Sequence, residues 1–349
     1  MKRRLHSSFL KLSLSIGLLA GLYSCEKYSS LGEDNNKVVR TPYGLYMGAE
    51  DGSIIHTNNG IDFNIKFPTD GYPISHIMAS GENLFIIKAK LHKSSNEGKS
   101  FNATFEDYEL YPWESMMLSS IHQDRIYIAG KFGRGIIYSD DAGETWQEEE
   151  EDYLPENLPP SYKISSYAEL GNGTIFAYSN KSNLLLKKVN NDEAWEPVTS
   201  EGFFPVTGTN YYLTSNATHI FLVDYNGRGG AWYSEDEGNF WTRIEQGELP
   251  TRIKYNAAVS GGYGSTLVIG TDKGSYFNDN GRFVEAFGGL EKETEVYTLT
   301  HKRNTFKNDN VKDYIYMGTN TGIYRSEDLG RTWDLLTKGA LQKSYKSSF

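Results

Sequence analysis

Three sets of side chains in this chain could do chemistry. The first is a lone thiol, Cys25, the only cysteine in 349 residues. It has no partner for a disulfide within the chain, but a thiol near the N-terminus can carry a covalent lipid. The second set is aromatic and charged, and sits on polar segments between strand-like runs. Tyr108, Tyr111, Trp113 and Glu114 fall in 103–117, Lys131 and Arg134 in 131–135, and Tyr225 and Arg228 in 224–230. Aromatic rings stack on the apolar faces of a sugar or an extended peptide, while arginine and carboxylate fix hydroxyls or a terminal carboxylate. Phe203 and Phe204 in 198–210 are of the same kind. The third set recurs. Residues 139–146 (SDDAGETW), 234–241 (SEDEGNFW) and 326–333 (SEDLGRTW) all fit Ser-x-Asp-x-Gly-x-x-Trp.

Other chemistries lack their residues. The seven histidines are dispersed without zinc-ligand spacing. No phosphate-binding glycine loop, dinucleotide fingerprint or nucleophile elbow stands at a strand–helix junction. No catalytic residue, metal site or cofactor is therefore assigned. The formal charge of −10, and the lack of a basic patch with interleaved aromatics, argue against nucleic acid. The acidic run in 148–152, which opens the proline-rich segment 148–163, reads as a solvated loop.

The repeated octapeptide must be positioned by strands. Each copy follows a short apolar run (GIIY, GAWY, GIYR) and reads as a hairpin turn. The Ser and Asp oxygens can accept hydrogen bonds from N–H groups left unpaired in the turn, and Gly supplies positive φ. The Trp begins the return strand and is large enough to fill the space between sheets. Weaker copies occur at 94–101, 56–63, 277–284 and 190–195. The glycines of adjacent copies are 38, 45, 43 and 49 positions apart, and one double interval of 95 contains Trp195. Seven copies at this period, in a chain of short β-branched and aromatic runs, predict a β-propeller.

With these residues the chain resembles the Asp-box (BNR-repeat) propellers, which include sialidases, xyloglucan-cleaving hydrolases, sortilin-type receptors and a photosystem assembly factor. The likeness covers about residues 43–340. It implies an all-β, seven-bladed β-propeller of four-stranded antiparallel blades with Asp-box turns, forming one domain over 43–349. In that family the box lies at the blade periphery, away from the ligand. Ser139, Asp141, Gly143, Trp146, Ser234, Asp236, Gly238, Trp241, Ser326, Asp328, Gly330 and Trp333 are accordingly read as structural. A calcium loop is the poorer reading, since it needs more oxygen ligands at alternate positions. The family's ligands lie on the face that carries the loops between blades and between second and third strands. That face would hold Tyr108, Tyr111, Trp113, Glu114, Lys131, Arg134, Tyr225 and Arg228.

Second strands are expected at 43–47, 84–87, 126–129, 174–178, 219–223, 266–270 and 314–318. Six have a plausible first strand upstream, such as 74–79 and 296–300. The first blade has none, and the C-terminal segment 340–348 is expected to pair into it and close the ring.

At the N-terminus, Lys2, Arg3, Arg4 and Lys11 precede an apolar stretch, 12–22, of signal-peptide length. Residues 22–25 (LYSC) resemble a bacterial lipobox, which implies a signal peptide at 1–24 and lipidation at Cys25. Residues 25–42 then form a flexible tether. Loss of the leader takes the formal charge from −10 to −14, because four basic residues go with it. The expected protein is a monomeric lipoprotein of a Gram-negative envelope, on the outer membrane, touching the membrane only through its lipid.

For function, the sequence leaves three readings. The first is non-catalytic binding of a glycan or protein partner. The second is a sialidase-like glycoside hydrolase, but 39–42 (VRTP) keeps only Arg and Pro of the sialidase entry motif. Arg228, Arg252 and Arg303 offer no assignable triad, and no Tyr–Glu nucleophile pair is evident. The xyloglucan hydrolases pair carboxylates across two propellers, and this chain has one. The third reading is a structural or assembly factor.

Overall fold

The computed structural model describes most of residues 45–348. It leaves out 1–44 and, chiefly, 106–115, 119–124, 129–135, 201–210, 225–229, 251–254, 306–310 and 338–344. The described chain forms seven four-stranded antiparallel sheets. In blades 2 to 7 the four strands are consecutive in sequence. Blade 1 combines the two ends of the chain. Its first strand is Tyr345–Ser348, followed by Leu45–Ala49, Ile54–Thr57 and Asn64–Lys66. The closing pair is antiparallel, with Met47 opposite Ser348 and Gly48 opposite Ser347. The first strands of successive blades contact one another all the way round, so the ring is closed as expected.

Each blade is flanked by two others, so its middle strands are buried on both faces. That is why Ile220–Asp224 and Ile175–Ser179 are buried at every position, without the alternation of a half-exposed strand. The core is not one mass but seven slabs, one per junction. Blades 2 and 3, for example, share Met78, Phe85, Ile87 and Leu91 with Ile126, Ile128 and Ile137. Blades 7 and 1 share Tyr314, Tyr316 and Ile323 with Leu45, Met47 and Ile55. The aromatic of every repeat copy enters the slab shared with the preceding blade. In chain order these are Phe63, Phe101, Trp146, Trp195, Trp241, Phe283 and Trp333.

The turn that places this ring joins third and fourth strands, and it has one geometry in blades 2, 3, 5 and 7. In blade 3 the Gly143 N–H donates to Ser139 Oγ at 2.8 Å, and Ser139 donates to Asp141 at 2.8 Å. Asp141 also accepts from the Thr145 N–H at 2.8 Å and the Thr145 hydroxyl at 2.6 Å. The serine bonds repeat at Ser234 and Ser326. In blade 2, Asn96 takes the aspartate's place, accepting from Ser94 at 2.9 Å and from the Ser100 N–H at 3.0 Å. Slight burial pushes the Asp141 carboxyl up, but the donors from Thr145, Ser139 and Glu144 outweigh it and hold the group at about 2.

Each such turn needs two successive left-handed residues, where the sequence announces only the glycine. Glu97, Ala142, Glu237 and Leu329 have φ of 61°, 56°, 59° and 59°, immediately before Gly98, Gly143, Gly238 and Gly330. The glycine is required twice over at Gly143, Gly238 and Gly330. A Cβ on Gly143 would lie 2.5 Å from Phe85 of the preceding blade, and one on Gly330 2.6 Å from Val268. The box is therefore a docking element between blades as well as a turn. Thr104 of blade 2 donates to the Gly143 carbonyl, and Ser200 of blade 4 donates to Gly238 O at 2.7 Å. Blade 6 uses a tight Asn280-Gly281 hairpin between Asp279 and Arg282 instead.

Two local expectations change. The first strand of blade 7 is Val296–Thr305, ten residues where five were expected, and it pairs with Val311–Thr319. Its outer half is polar in sequence, so no apolar alternation marked it. The segment expected as a loop over 103–117 has strands at both ends, Asn102–Phe105 and Met116–Leu118. Among the described residues the sole helical element is one 3-10 turn, Glu151–Tyr153.

Gly143→Ala is expected to lower stability by about 2–4 kcal/mol, because it adds a clash with the neighbouring blade to the cost of positive φ. Gly281→Ala, whose Cβ would meet nothing within 4 Å at φ 88°, should cost about 1 kcal/mol. Urea denaturation of the two variants checks the difference.

Candidate functional site

Connectivity gives the ring two unlike rims. Turns between first and second strands and between third and fourth strands leave one rim, which carries the boxes. Turns between second and third strands, and the connections between blades, leave the other, here the open rim. The strand ends flanking the candidate segments belong to the open rim. They are Phe105 and Met116, Ile128 and Ile137, and Asp224 and Ala231. The side chains themselves, Tyr108, Tyr111, Trp113, Glu114, Lys131, Arg134, Tyr225 and Arg228, lie outside the described residues, as do Phe203, Phe204, Arg40, Arg252 and Cys25.

The described turns of the open rim are closed by hydrogen bonds. In blade 6 the Thr271 hydroxyl donates to Gly274 O at 2.8 Å and accepts from the Lys273 N–H at 3.0 Å. In blade 7 the Thr319 hydroxyl likewise donates to Gly322 O at 2.8 Å and accepts from the Thr321 N–H at 3.1 Å, and also from the Gly322 N–H at 3.0 Å. In blade 4 Asn183 accepts from the Tyr178 hydroxyl at 2.6 Å, and Asn180 accepts from the Tyr211 N–H of blade 5 at 2.8 Å. Phe287, on the connection from blade 6 to blade 7, is 67% exposed and meets Phe277 edge-on at 5.2 Å. Nothing in its local sequence separated it from a core residue.

The acidic segment 148–152 is not uniformly solvated. Glu149 is buried at the junction of blades 3 and 4. It accepts from Lys188 Nζ at 3.1 Å and from Trp195 Nε1 at 2.8 Å. Lys188 is itself 1% exposed and lies 5.1 Å from the Tyr153 ring. Tyr153 in turn takes the Trp195 N–H on its carbonyl at 2.7 Å. Blade 4 is the blade whose repeat copy lacks Gly and Ser. A buried ion pair ties the junction there, where a box does so in blades 3, 5 and 7. The rest of the run is exposed as expected; Glu149 departs because its burial depends on a lysine 39 positions away.

The geometry bears on the hydrolase chemistry as well. A tyrosine nucleophile needs an accessible, readily ionised phenol. Burial pushes Tyr162 up to about 12 and Tyr276 and Tyr316 to about 12, and it raises Tyr127, Tyr138, Tyr167, Tyr178 and Tyr212 too. Arg243 lies over the Trp232 ring at 5.8 Å, beside Gly230 at the open-rim end of blade 5, whereas Arg125 and Arg325 are engaged at the box rim. Arg125 binds Asp140 through both Nε and Nη2, at 2.6 and 2.9 Å, and Arg325 binds Glu327 at 2.9 Å. Among the described residues no group of three or more His, Asp or Glu is placed to hold a metal.

No protein-family model and no curated protein matches this chain. Solved structures do. YCF48 bound to a D1 peptide aligns at 12% identity and a TM-score of 0.52, over 79% of this chain and 86% of that one. The GH74 xyloglucanase from Xanthomonas campestris aligns at 13% and 0.61, over 85% of this chain and 53% of the enzyme. PorZ, a surface component of the type-IX secretion system of Porphyromonas gingivalis, aligns at 15% and 0.51, over 88% of this chain and 37% of that one. At these identities the likeness is one of fold. The chain spans about half of the xyloglucanase.

Glu149→Gln is expected to cost about 3–5 kcal/mol, because it removes the carboxylate beside the buried Lys188 ammonium. The double variant Glu149→Gln/Lys188→Met should recover most of that loss. Chemical denaturation of the four-member cycle measures the coupling.

Proposed function

We propose that this chain is an Asp-box propeller lipoprotein of a Gram-negative envelope, anchored through Cys25, whose open rim binds a protein partner through an extended peptide segment without turning it over. The observation that carries this reading is the extent of one likeness. The match to YCF48 bound to a D1 peptide covers most of both chains, as expected for one propeller acting alone. The xyloglucanase match reaches only about half of that enzyme. The candidate residues suit such a ligand. Tyr108, Tyr111 and Trp113 offer rings for apolar side chains, and Arg134 and Arg228 offer guanidinium groups for carboxylates. Glu114 and Lys131 supply further fixed charges, and Tyr225 a ring beside Arg228. PorZ supports a place at the cell surface, since that propeller-containing protein is a bacterial surface component. Glycan binding is the second reading, favoured by the same aromatics.

Photo-crosslinking from position 113 or 228 in whole cells tests the proposal. Adducts of defined protein mass are expected from these positions and not from 239 on the box rim. Trp113→Ala should weaken partner binding at least tenfold, as loss of an aromatic anchor does. Glycan-array binding without protein adducts would favour the second reading. Turnover of a fluorogenic sialoside or of xyloglucan would contradict a non-catalytic role.

A further inference from the structure

One arrangement recurs wherever a described cation lies over an aromatic ring. Six do so, and five of the six also meet a carboxylate. Arg125 lies 4.1 Å from the Tyr138 ring and binds Asp140. Arg325 lies 5.0 Å from Tyr314 and binds Glu327, and Arg331 lies 5.2 Å from Phe277 with Asp279 3.9 Å away. Lys93 has Phe85 and Glu144, and Lys188 has Tyr153 and Glu149. Arg243 is the sixth. It lies over Trp232, and among the described residues it has no carboxylate partner.

Arg243 and Trp232 stand opposite one another on the fourth and third strands of blade 5, Thr242–Ile244 and Ala231–Ser234. The arginine reaches toward the open rim. A Cβ on Gly230, at φ 79°, would lie 3.5 Å from Arg243 Nε and 3.6 Å from Nη2, so glycine leaves that edge of the guanidinium without a covering side chain. Gly230 also ends the segment 224–230 that bears Tyr225 and Arg228. Arg243 is exposed, while Trp232 is half-buried against Val198 of blade 4. The acids of the blade 5 box are engaged elsewhere. Glu235 faces His219 at 3.6 Å, and Asp236 accepts from Ser234 and from the Phe240 N–H. Glu237 accepts from Asn172 at 2.8 Å and faces Lys187 at 3.8 Å. Asp224, at the root of the open-rim segment, is buried.

We infer that Arg243, lying over Trp232, is the point at which the open rim takes an acidic side chain, Asp or Glu, from the partner's extended segment, and that this acid completes the set of ring, cation and carboxylate found at the other five cations. The inference rests on the protein-partner reading proposed above and adds a charge requirement to that partner. A guanidinium presents a planar fork of donors matched to a carboxylate, and a ring beneath its face leaves the edge free for that fork. The indole also restricts the arginine before binding, so less conformational entropy is lost when the pair forms. Tryptophan and arginine are over-represented where interfaces concentrate their binding energy. That Arg243 lacks an acid is no matter of supply, since the chain carries 45 Asp and Glu against 35 Lys and Arg.

The test selects a random peptide library, displayed on phage with no free C-terminus, on the full chain and on R243Q. Asp or Glu is expected to be enriched on the full chain and not on R243Q. In an enriched peptide, changing that acid to its amide should weaken binding to the full chain by about tenfold or more and to R243Q by less than about twofold, the coupling expected of a charge-assisted bond. R243K keeps the charge without the planar fork and should lose about threefold or more. R282Q removes an exposed arginine that lies over no described ring, and should change affinity less than about twofold. Equal acidic enrichment on R243Q, or no enriched peptide at all, would overturn the inference. So would peptides that bind only through a free α-carboxylate, or Arg243-dependent capture of sialylated or uronate glycans on an array in place of peptides. A lower melting temperature in R243Q with peptide affinity unchanged would reduce the pair to a cross-strand contact and overturn it as well. Photo-crosslinking from 113 and 228 reads the partner separately. Protein adducts that persist undiminished in R243Q remove this point and keep the open-rim reading; acidic enrichment without adducts from 113 or 228 removes the open-rim reading and keeps Arg243.

Discussion

No blade of this protein can bury its own faces. Each is a four-stranded sheet with apolar residues on both sides, and only a neighbour on either side removes them from water. That constraint explains why the core divides into seven slabs, each built from two blades. It also explains why the two ends of the chain must meet. Without Tyr345–Ser348, blade 1 lacks its first strand, the one paired with Leu45–Ala49. The rest of the architecture serves these junctions. The aromatic of each repeat copy fills a slab, and the glycine lets the turn approach the blade before it.

The exception at blades 3 and 4 shows that the junction, not the box, is what the fold requires. There the local turn has neither Ser nor Gly, and Glu149, Lys188 and Trp195 join the blades by charge-assisted bonds. An isolated charge in that slab would be costly, so the two residues depend on one another. The three-membered arrangement also fixes the indole of Trp195, and with it the packing of the Tyr127 and Tyr167 rings alongside.

How much of this was legible in the sequence depends on how local the cause is. The box was legible because its chemistry is local: Gly143 needs positive φ, Ser139 and Asp141 cap N–H groups four residues on, and all three residue types are dictated within eight positions. Ring closure was legible by counting strands, since blade 1 had no first strand upstream of Leu45. Burial of Glu149 was not, because its partner is in the next blade. The outer half of Val296–Thr305 was not, because its polar sequence shows no apolar alternation. The left-handed residue before each box glycine was invisible as well, since Glu, Ala and Leu give no hint of it. For the open rim, residue chemistry in the sequence singled out the segments and the fold placed the strand ends that bear them. The side chains in between still rest on residue chemistry alone.

A ring of blades that bury their faces only against one another stands only if it is closed. The most direct measurement compares thermal unfolding of the full chain with that of a chain ending at Gly339, with and without the synthetic peptide 340–349. Closure through Tyr345–Ser348 predicts that truncation lowers the melting temperature by roughly 5–10 °C, as loss of a few kcal/mol would in a domain of this size, and that the peptide restores part of it. An unchanged melting temperature in the truncated chain would contradict the account.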